Sequence, residues 1–233
     1  MIDRYFYQSG PRRVERHHPD ILAILPLVKE VRHTAGPELH RGRLMAPPYA
    51  RAALLDRDGT VIADRGYLAD PACVEILPRA AEGLARMRSC GLGLAILTNQ
   101  SGVGRGYFGE AELCAVNRRM EELLEAQGVR LDGIYYCPCH PDQRCGCRKP
   151  KPGLVRAASA ELGFDPARSF VIGDKDSDMG MGRAVSARTF LVRPGAAGDN
   201  LGPEFRAKPD YVVEDLLDAA QRIEEILRRE QSG

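Results

Sequence analysis

This chain of 233 residues is short of three things, and each shortage removes a class of function. The first is net charge. Lys plus Arg number 33 against 32 for Asp plus Glu, so no global field draws the chain to nucleic acid or to an anionic membrane. Any anion binding must be local. The second is long apolar runs: none approaches the ~18 residues a membrane-spanning helix needs, and the stretch 21–28 is short and contains a proline. No charged-then-apolar signal segment is seen, so a cytoplasmic protein is expected. The third is histidine beyond the first 50 residues. His17, His18, His33 and His40 lie within them, leaving only His140 downstream. A Ser-His-Asp or Cys-His mechanism is hard to build from that set, so proton transfer falls to carboxylates.

Cysteine is present, but not as a disulfide framework. Seven is an odd count, and Cys73, Cys90 and Cys114 sit in apolar periodic stretches. The other four crowd into residues 137–147, a pattern that suits a metal site better. The length suits one main domain with an added segment. Residues 1–50 are basic, histidine-rich and interrupted by prolines, and read as an extension whose plainest role is a solvated tail. Met45, just ahead of Ala-Pro-Pro, is a candidate natural start of translation.

Residues 51–230 alternate short apolar runs with amphipathic segments. Strands are expected at 52–55, 92–97, 134–136, 170–172, 189–192 and 211–213, and helices at 78–89, 110–127, 152–162, 179–185 and 215–229. This alternation predicts an α/β fold, a mostly parallel sheet with helices on both faces. In such sheets ligands bind beyond the carboxyl ends of the strands. The residues found there are Asp56 and Asp58, then Thr98 to Ser101, then Asp174 and Lys175, to which Arg148 and Lys149 add a loop contribution.

Taken together they make a pocket for a phosphate and a divalent cation. A bare D-x-D also fits a plain acidic turn. With the downstream set, Asp56 becomes a nucleophile toward phosphorus and Asp58 a general acid and base. Asp56, Asp58 and Asp174 line a Mg²⁺ site, with Asp56 and Asp174 as side-chain ligands. Thr98 and Lys149 stabilise the phosphoryl oxygens. Asp178 reads equally as a partner of Lys175 or of a metal-bound water and as an ordinary first-turn carboxylate.

Asp56-Arg57-Asp58-Gly59-Thr60, Thr98-Asn99-Gln100-Ser101-Gly102, Arg148-Lys149-Pro150 and Gly173-Asp174-Lys175, in that order, resemble the four motifs of the haloacid dehalogenase (HAD) superfamily phosphatases. Within it the chain most resembles the D-glycero-D-manno-heptose-1,7-bisphosphate 7-phosphatases, which implies a Rossmann-like HAD core with a minimal cap and a zinc-binding loop. The resemblance further implies substrate contacts at Asp64, Arg65, Gly66 and Tyr67, at Thr98, Asn99, Gln100 and Ser101, and at Arg148, Lys149 and Lys175. A monomer acting on a small sugar phosphate is expected.

Cys137, Cys139, Cys145 and Cys147 suit a closed, structural Zn²⁺ site, with Cys139 favoured over His140 as a ligand. Two readings compete within and outside this class. The short interval from Cys139 to Cys145 resembles histidinol-phosphate phosphatases, and a non-enzymatic zinc module is a distant alternative. Gly104, Gly106 and Gly109 also fit G-x-G-x-x-G, but they follow the second strand of the reading, with no acidic strand end beyond.

Overall fold

The computed structural model describes residues 29–30, 49–193 and 206–232. The expectations for residues 1–50, Met45 included, therefore lie almost wholly outside the described residues. Seven strands form one sheet: β1 (Lys29–Glu30), β2 (Ala52–Leu55), β3 (Gly93–Asn99), β4 (Gly133–Cys137), β5 (Phe170–Gly173), β6 (Arg188–Val192) and β7 (Tyr211–Val213). Their spatial order is β1-β4-β3-β2-β5-β6-β7. β2 to β7 pair in parallel, while β1 adds an antiparallel edge, Lys29 opposite Tyr136. That edge strand is too short and too polar to show in the sequence pattern.

The helices are α1 (Ala80–Ser89), α2 (Ser101–Gly104), α3 (Glu110–Glu125), α4 (Gly153–Leu162), α5 (Asp176–Arg183) and α6 (Leu216–Gln231). Strand side chains alternate between faces, and the core divides accordingly. Ala53 and Leu55 of β2 join Leu84 and Met87 of α1, Val116 and Met120 of α3 and Ile223 of α6. Ala52 and Leu54 join Leu154, Val155 and Ala158 of α4 and Met181 of α5. A buried Leu or Met contributes about 1.5–3 kcal/mol, so each helix is held mainly by the face it buries. Among the described residues no helix is long and apolar enough to cross a membrane.

Most expected elements stand where periodicity puts them. α5 begins three residues earlier than expected, because the Asp178 carboxylate accepts from the Lys175 N–H at 3.2 Å and starts the turn there. α2, a single turn, has no periodicity to announce it. The cap is minimal: the passage from β2 to α1 carries two isolated bridges from Ile62, to Asp58 and to Ile76, and a tight 3-10 turn at Pro71–Cys73 tied by the Asp70 carboxylate to the Ala72 N–H.

The contact of α1 with α6 depends on the absence of a side chain at Gly83, where a Cβ would lie 2.4 Å from the Leu216 carbonyl. Gly83→Ala should therefore destabilise the fold by about 1–3 kcal/mol and lower the melting temperature, while leaving turnover per folded molecule unchanged. An unaltered melting temperature would show that the helices can separate without loss.

Candidate active site

β2, β3 and β5 are adjacent in the sheet, so the residues that follow them converge at one edge. The order turns at β2, the place where open α/β sheets leave a crevice. Asp56 keeps the sheet register, its N–H donating to the Ile172 carbonyl at 2.9 Å. Its carboxylate is buried. Oδ1 accepts from the Arg57 N–H and lies against the Lys149 ammonium, each at 2.8 Å.

Lys149 is buried as well, and its Nζ also donates to the Leu97 carbonyl at 2.8 Å and pairs with Asp178 Oδ1 at 2.6 Å. Burial opposes its charge, but Asp178 and Asp56 outweigh it and hold its pKa above the usual lysine range. Burial likewise pushes Asp56 up, and Lys149 and Lys175 overcome this and hold it below the ordinary carboxylate value. Asp178 goes the other way: burial and the neighbouring Asp56 charge bring it up to about 7 despite Lys149.

Asp174 completes the anionic group. Burial, then the charge of Asp56, push it up to about 6. Carboxylate oxygens of Asp56, Asp174 and Asp178 lie within 4.8 Å of one another. Gly59 makes room for this, since a Cβ there would stand 2.4 Å from Asp174 Oδ2. The Lys175 ammonium sits among oxygens of the same group: Asp174 Oδ2 at 3.1 Å, the Asp58 carbonyl at 3.2 Å, Asp64 Oδ2 at 3.3 Å and Asp56 Oδ2 at 3.8 Å. An all-oxygen, anionic set is what a hard divalent cation requires.

Asp58 contributes to that set with its carbonyl oxygen. Its carboxylate faces elsewhere, held by Arg57 Nε at 3.1 Å, Arg57 Nη2 at 3.0 Å and Gln100 Nε2 at 2.8 Å. Gln100 Nε2 is also 2.8 Å from Thr98 Oγ1, so one amide ties the two side chains together. Asn99 is engaged with main chain: its Oδ1 accepts from the Lys149 N–H at 3.0 Å and its Nδ2 donates to the Lys149 carbonyl at 3.3 Å. Ser101 opens α2. Arg148 carries a buried Nη1 without a hydrogen-bond partner among the described residues.

The expected substrate loop is next to this group at one point, Asp64, through Lys175. Arg65 is exposed and paired with Glu75, and Gly66 turns the chain with a φ of +76°. Tyr67 is exposed and meets Tyr107 edge to face, with ring centroids 4.7 Å apart.

The four cysteine sulfurs also lie within 4.8 Å of one another. Cys147 is 3.0 Å and Cys145 3.7 Å from Cys137, and Cys139 is 4.0 Å from Cys147. Burial pushes Cys139 up to about 12, whereas at Cys145 the Arg148 N–H and the neighbouring thiols overcome burial and bring it down to about 7. His140 stands apart, its Nδ1 accepting from the Asp142 N–H at 3.2 Å. Gly104 serves this loop: a Cβ would lie 2.4 Å from the His140 nitrogen and 2.6 Å from the Pro138 carbonyl oxygen. The G-x-G-x-x-G segment therefore packs on the cysteine loop.

Sequence reasoning assigned no task to Arg57 or Asn117, though both carried a signal. Arg57 is a charged residue inside a buried run, and Asn117 is a polar residue on the apolar stripe of Leu113, Val116 and Met120.

Comparison with known proteins agrees with this geometry. The sequence profile of the HAD-hydrolase-like family matches residues 146–219. The D-glycero-beta-D-manno-heptose-1,7-bisphosphate 7-phosphatase of Pasteurella multocida is 38% identical over 180 residues, 74% of this chain and 96% of that protein. The D,D-heptose 1,7-bisphosphate phosphatase from B. bronchiseptica, solved with magnesium and phosphate, is 31% identical with a TM-score of 0.66 over 75% of this chain and 99% of its own. A HAD-like phosphatase structure from Mesorhizobium loti is 32% identical with a TM-score of 0.68 over 86% and 93% of the two chains.

The raised carboxyls have a consequence for stability. A folded-state pKa of about 7 for Asp178 means that stability from its proton is fully present below about pH 4 and is lost as pH rises through 7. Without added divalent cation, wild-type protein should lose stability from pH 5 to 7.5. Asp178→Asn should flatten that fall by about 2 kcal/mol, about 4–8 °C in Tm for a chain this size. Parallel melting curves for the two proteins would remove Asp178 from this account.

Proposed function

The chain belongs to the D-glycero-beta-D-manno-heptose-1,7-bisphosphate 7-phosphatase family, and we propose that it removes the 7-phosphate of the heptose bisphosphate through an aspartyl-phosphate intermediate. One observation carries this reading: a buried carboxylate at a strand end, fixed at Oδ1 by a buried lysine and open at Oδ2 toward a cation-seeking group of oxygens.

Asp56 attacks phosphorus, and an O–P bond forms as the bond from phosphorus to the sugar oxygen breaks. Asp58 gives its proton to that oxygen, then takes one from the water that attacks the aspartyl-phosphate, releasing inorganic phosphate and restoring Asp56. Lys149 and the Thr98 hydroxyl hold the phosphoryl oxygens while charge shifts onto them. The unpartnered Nη1 of Arg148 and the Lys175 ammonium remain for the substrate's anionic groups.

The residues present fit both metals. Asp56, Asp174 and the Asp58 carbonyl would hold Mg²⁺, which when bound offsets the repulsion between a carboxylate nucleophile and a phosphate dianion. A tetrahedral zinc with bonds of ~2.3 Å sets its sulfurs about 3.8 Å apart, and the observed separations of 3.0, 3.7 and 4.0 Å straddle that value. Cys137, Cys139, Cys145 and Cys147 would hold Zn²⁺ with no open position. Its work is to stiffen the loop that delivers Arg148 and Lys149.

Phosphate release should be measured with Mg²⁺ for both anomers of the heptose bisphosphate and for histidinol phosphate. Heptose bisphosphate should turn over fastest, and Asp56→Asn should lose activity by about 10³-fold or more. Preference for histidinol phosphate would overturn the substrate, and an active Asp56→Asn the nucleophile. Purified protein should also contain stoichiometric zinc, and stripping it should lower kcat by about tenfold or more. Full activity in zinc-free protein would refute the stiffening role.

A further inference from the structure

Arg57 is the largest of the fully buried side chains among the described residues, and the reaction outlined above makes no use of it. A guanidinium removed from water is costly unless its donors are met in good geometry. Here they are met in one particular way. Nε and Nη2 grip the two oxygens of Asp58 at 3.1 and 3.0 Å, and Nη1 reaches Asn117 Oδ1 on α3 at 2.7 Å. The fork therefore ties Asp58 to α3 through Asn117, 60 positions along the chain from Arg57.

Asn117 bears a cost of its own. It is fully buried, and its Nδ2 has no hydrogen-bond partner among the described residues. A leucine would fill the place without an orphaned donor, so packing alone does not account for the amide. What it supplies is the acceptor that aims Arg57. Gln100 closes the arrangement from the other side, at 2.8 Å from Asp58 Oδ2. Asp58 is thus held at both oxygens, and its side chain keeps an exposure of 13%.

We propose that Arg57, anchored by Asn117, is a positioning residue that fixes the Asp58 carboxyl in the one orientation from which it serves both proton transfers. The proposal rests on Asp58 as acid and base. It makes a distinction that a merely structural arginine would not. A sugar oxygen needs Asp58's proton to leave, whereas p-nitrophenolate leaves without one. Water attack on the aspartyl-phosphate needs Asp58 with either substrate.

The test is rapid-mixing kinetics on the Mg²⁺-loaded enzyme with p-nitrophenyl phosphate and with heptose bisphosphate, comparing wild type, Asp58→Asn, Arg57→Lys and Asn117→Ala. Arg57→Lys keeps the charge and loses the fork, and Asn117→Ala keeps the fork and loses its anchor. For both, the p-nitrophenolate burst should stay within about threefold of wild type while the slow phase and bisphosphate turnover fall by about 10–10²-fold, with KM little changed. Asp58→Asn should show the same split more strongly. If Asp58→Asn lacks the split, the acid–base reading fails and the inference with it. If Asp58→Asn shows it and both other variants either match wild type or lose burst and slow phase equally, the positioning role alone is overturned. Should Arg57→Lys fail to fold, Asn117→Ala decides the matter by the same ratio.

Discussion

A single ammonium group, buried between two carboxylates, is the constraint on which this structure turns. Lys149 meets Asp56, Asp178 and the Leu97 carbonyl where water cannot reach. An uncompensated charge in such a place would neutralise itself. Lys149 can hold only some of the surrounding anions in their charged form. Asp56 stays below its ordinary pKa, while burial leaves Asp178 near 7 and Asp174 near 6. Asp56 is held toward its ionised form and its neighbours are left with a demand for positive charge. A divalent cation at Asp56 and Asp174 would answer that demand, so the ion pairs and the proposed metal site form one electrostatic arrangement.

Lys149 arrives from a segment with little regular structure of its own, between β4 and α4. Such a segment would ordinarily roam, and a displacement of about 1 Å at a reacting group can cost 10²-fold in rate. Three contacts prevent this. Asn99 brackets the main chain of Lys149 from the end of β3. Gly153 lets α4 press within 2.3 Å, measured from a Cβ it lacks, of the Gly146 carbonyl oxygen. The four sulfurs gather the loop behind them. Asn99 thus holds the main chain of Lys149 in place.

How much of this could be read in advance follows from what each element depends on. β2, β3, β5 and α3 are dictated by local periodicity, and the sequence shows them within a few residues. Asp56, Thr98, Lys149 and Asp174 follow once the strand ends are read together. β1, α2 and the early start of α5 escaped, because an edge pairing of two polar residues, a single turn and a side-chain cap leave no period. Asp178 was half legible: its carboxylate does cap a first turn, and it also holds the buried lysine from its other oxygen. Asn99 and Gln100 were visible as motif letters, but their tasks belong to partners 50 and 42 positions away. No local rule supplies such partners.

The two aspartates of the D-x-D stretch show why proximity in sequence is a poor guide to role. They are two residues apart, yet each is held by its own cation from its own direction: Lys149 on the α4 side for Asp56, Arg57 toward α3 for Asp58. A shared cation would couple them, and a proton delivered by one would change the charge of the other at short range. In the proposed reaction, separate partners, with Arg57 interposed in the chain, would let Asp58 gain and lose a proton while Asp56 keeps its own pairing with Lys149. A nucleophile that stays ionised beside a neighbour that cycles would need that separation. The fold provides it by sending Arg57, the residue between them, to the face opposite Asp56 and toward α3, from where its guanidinium holds Asp58.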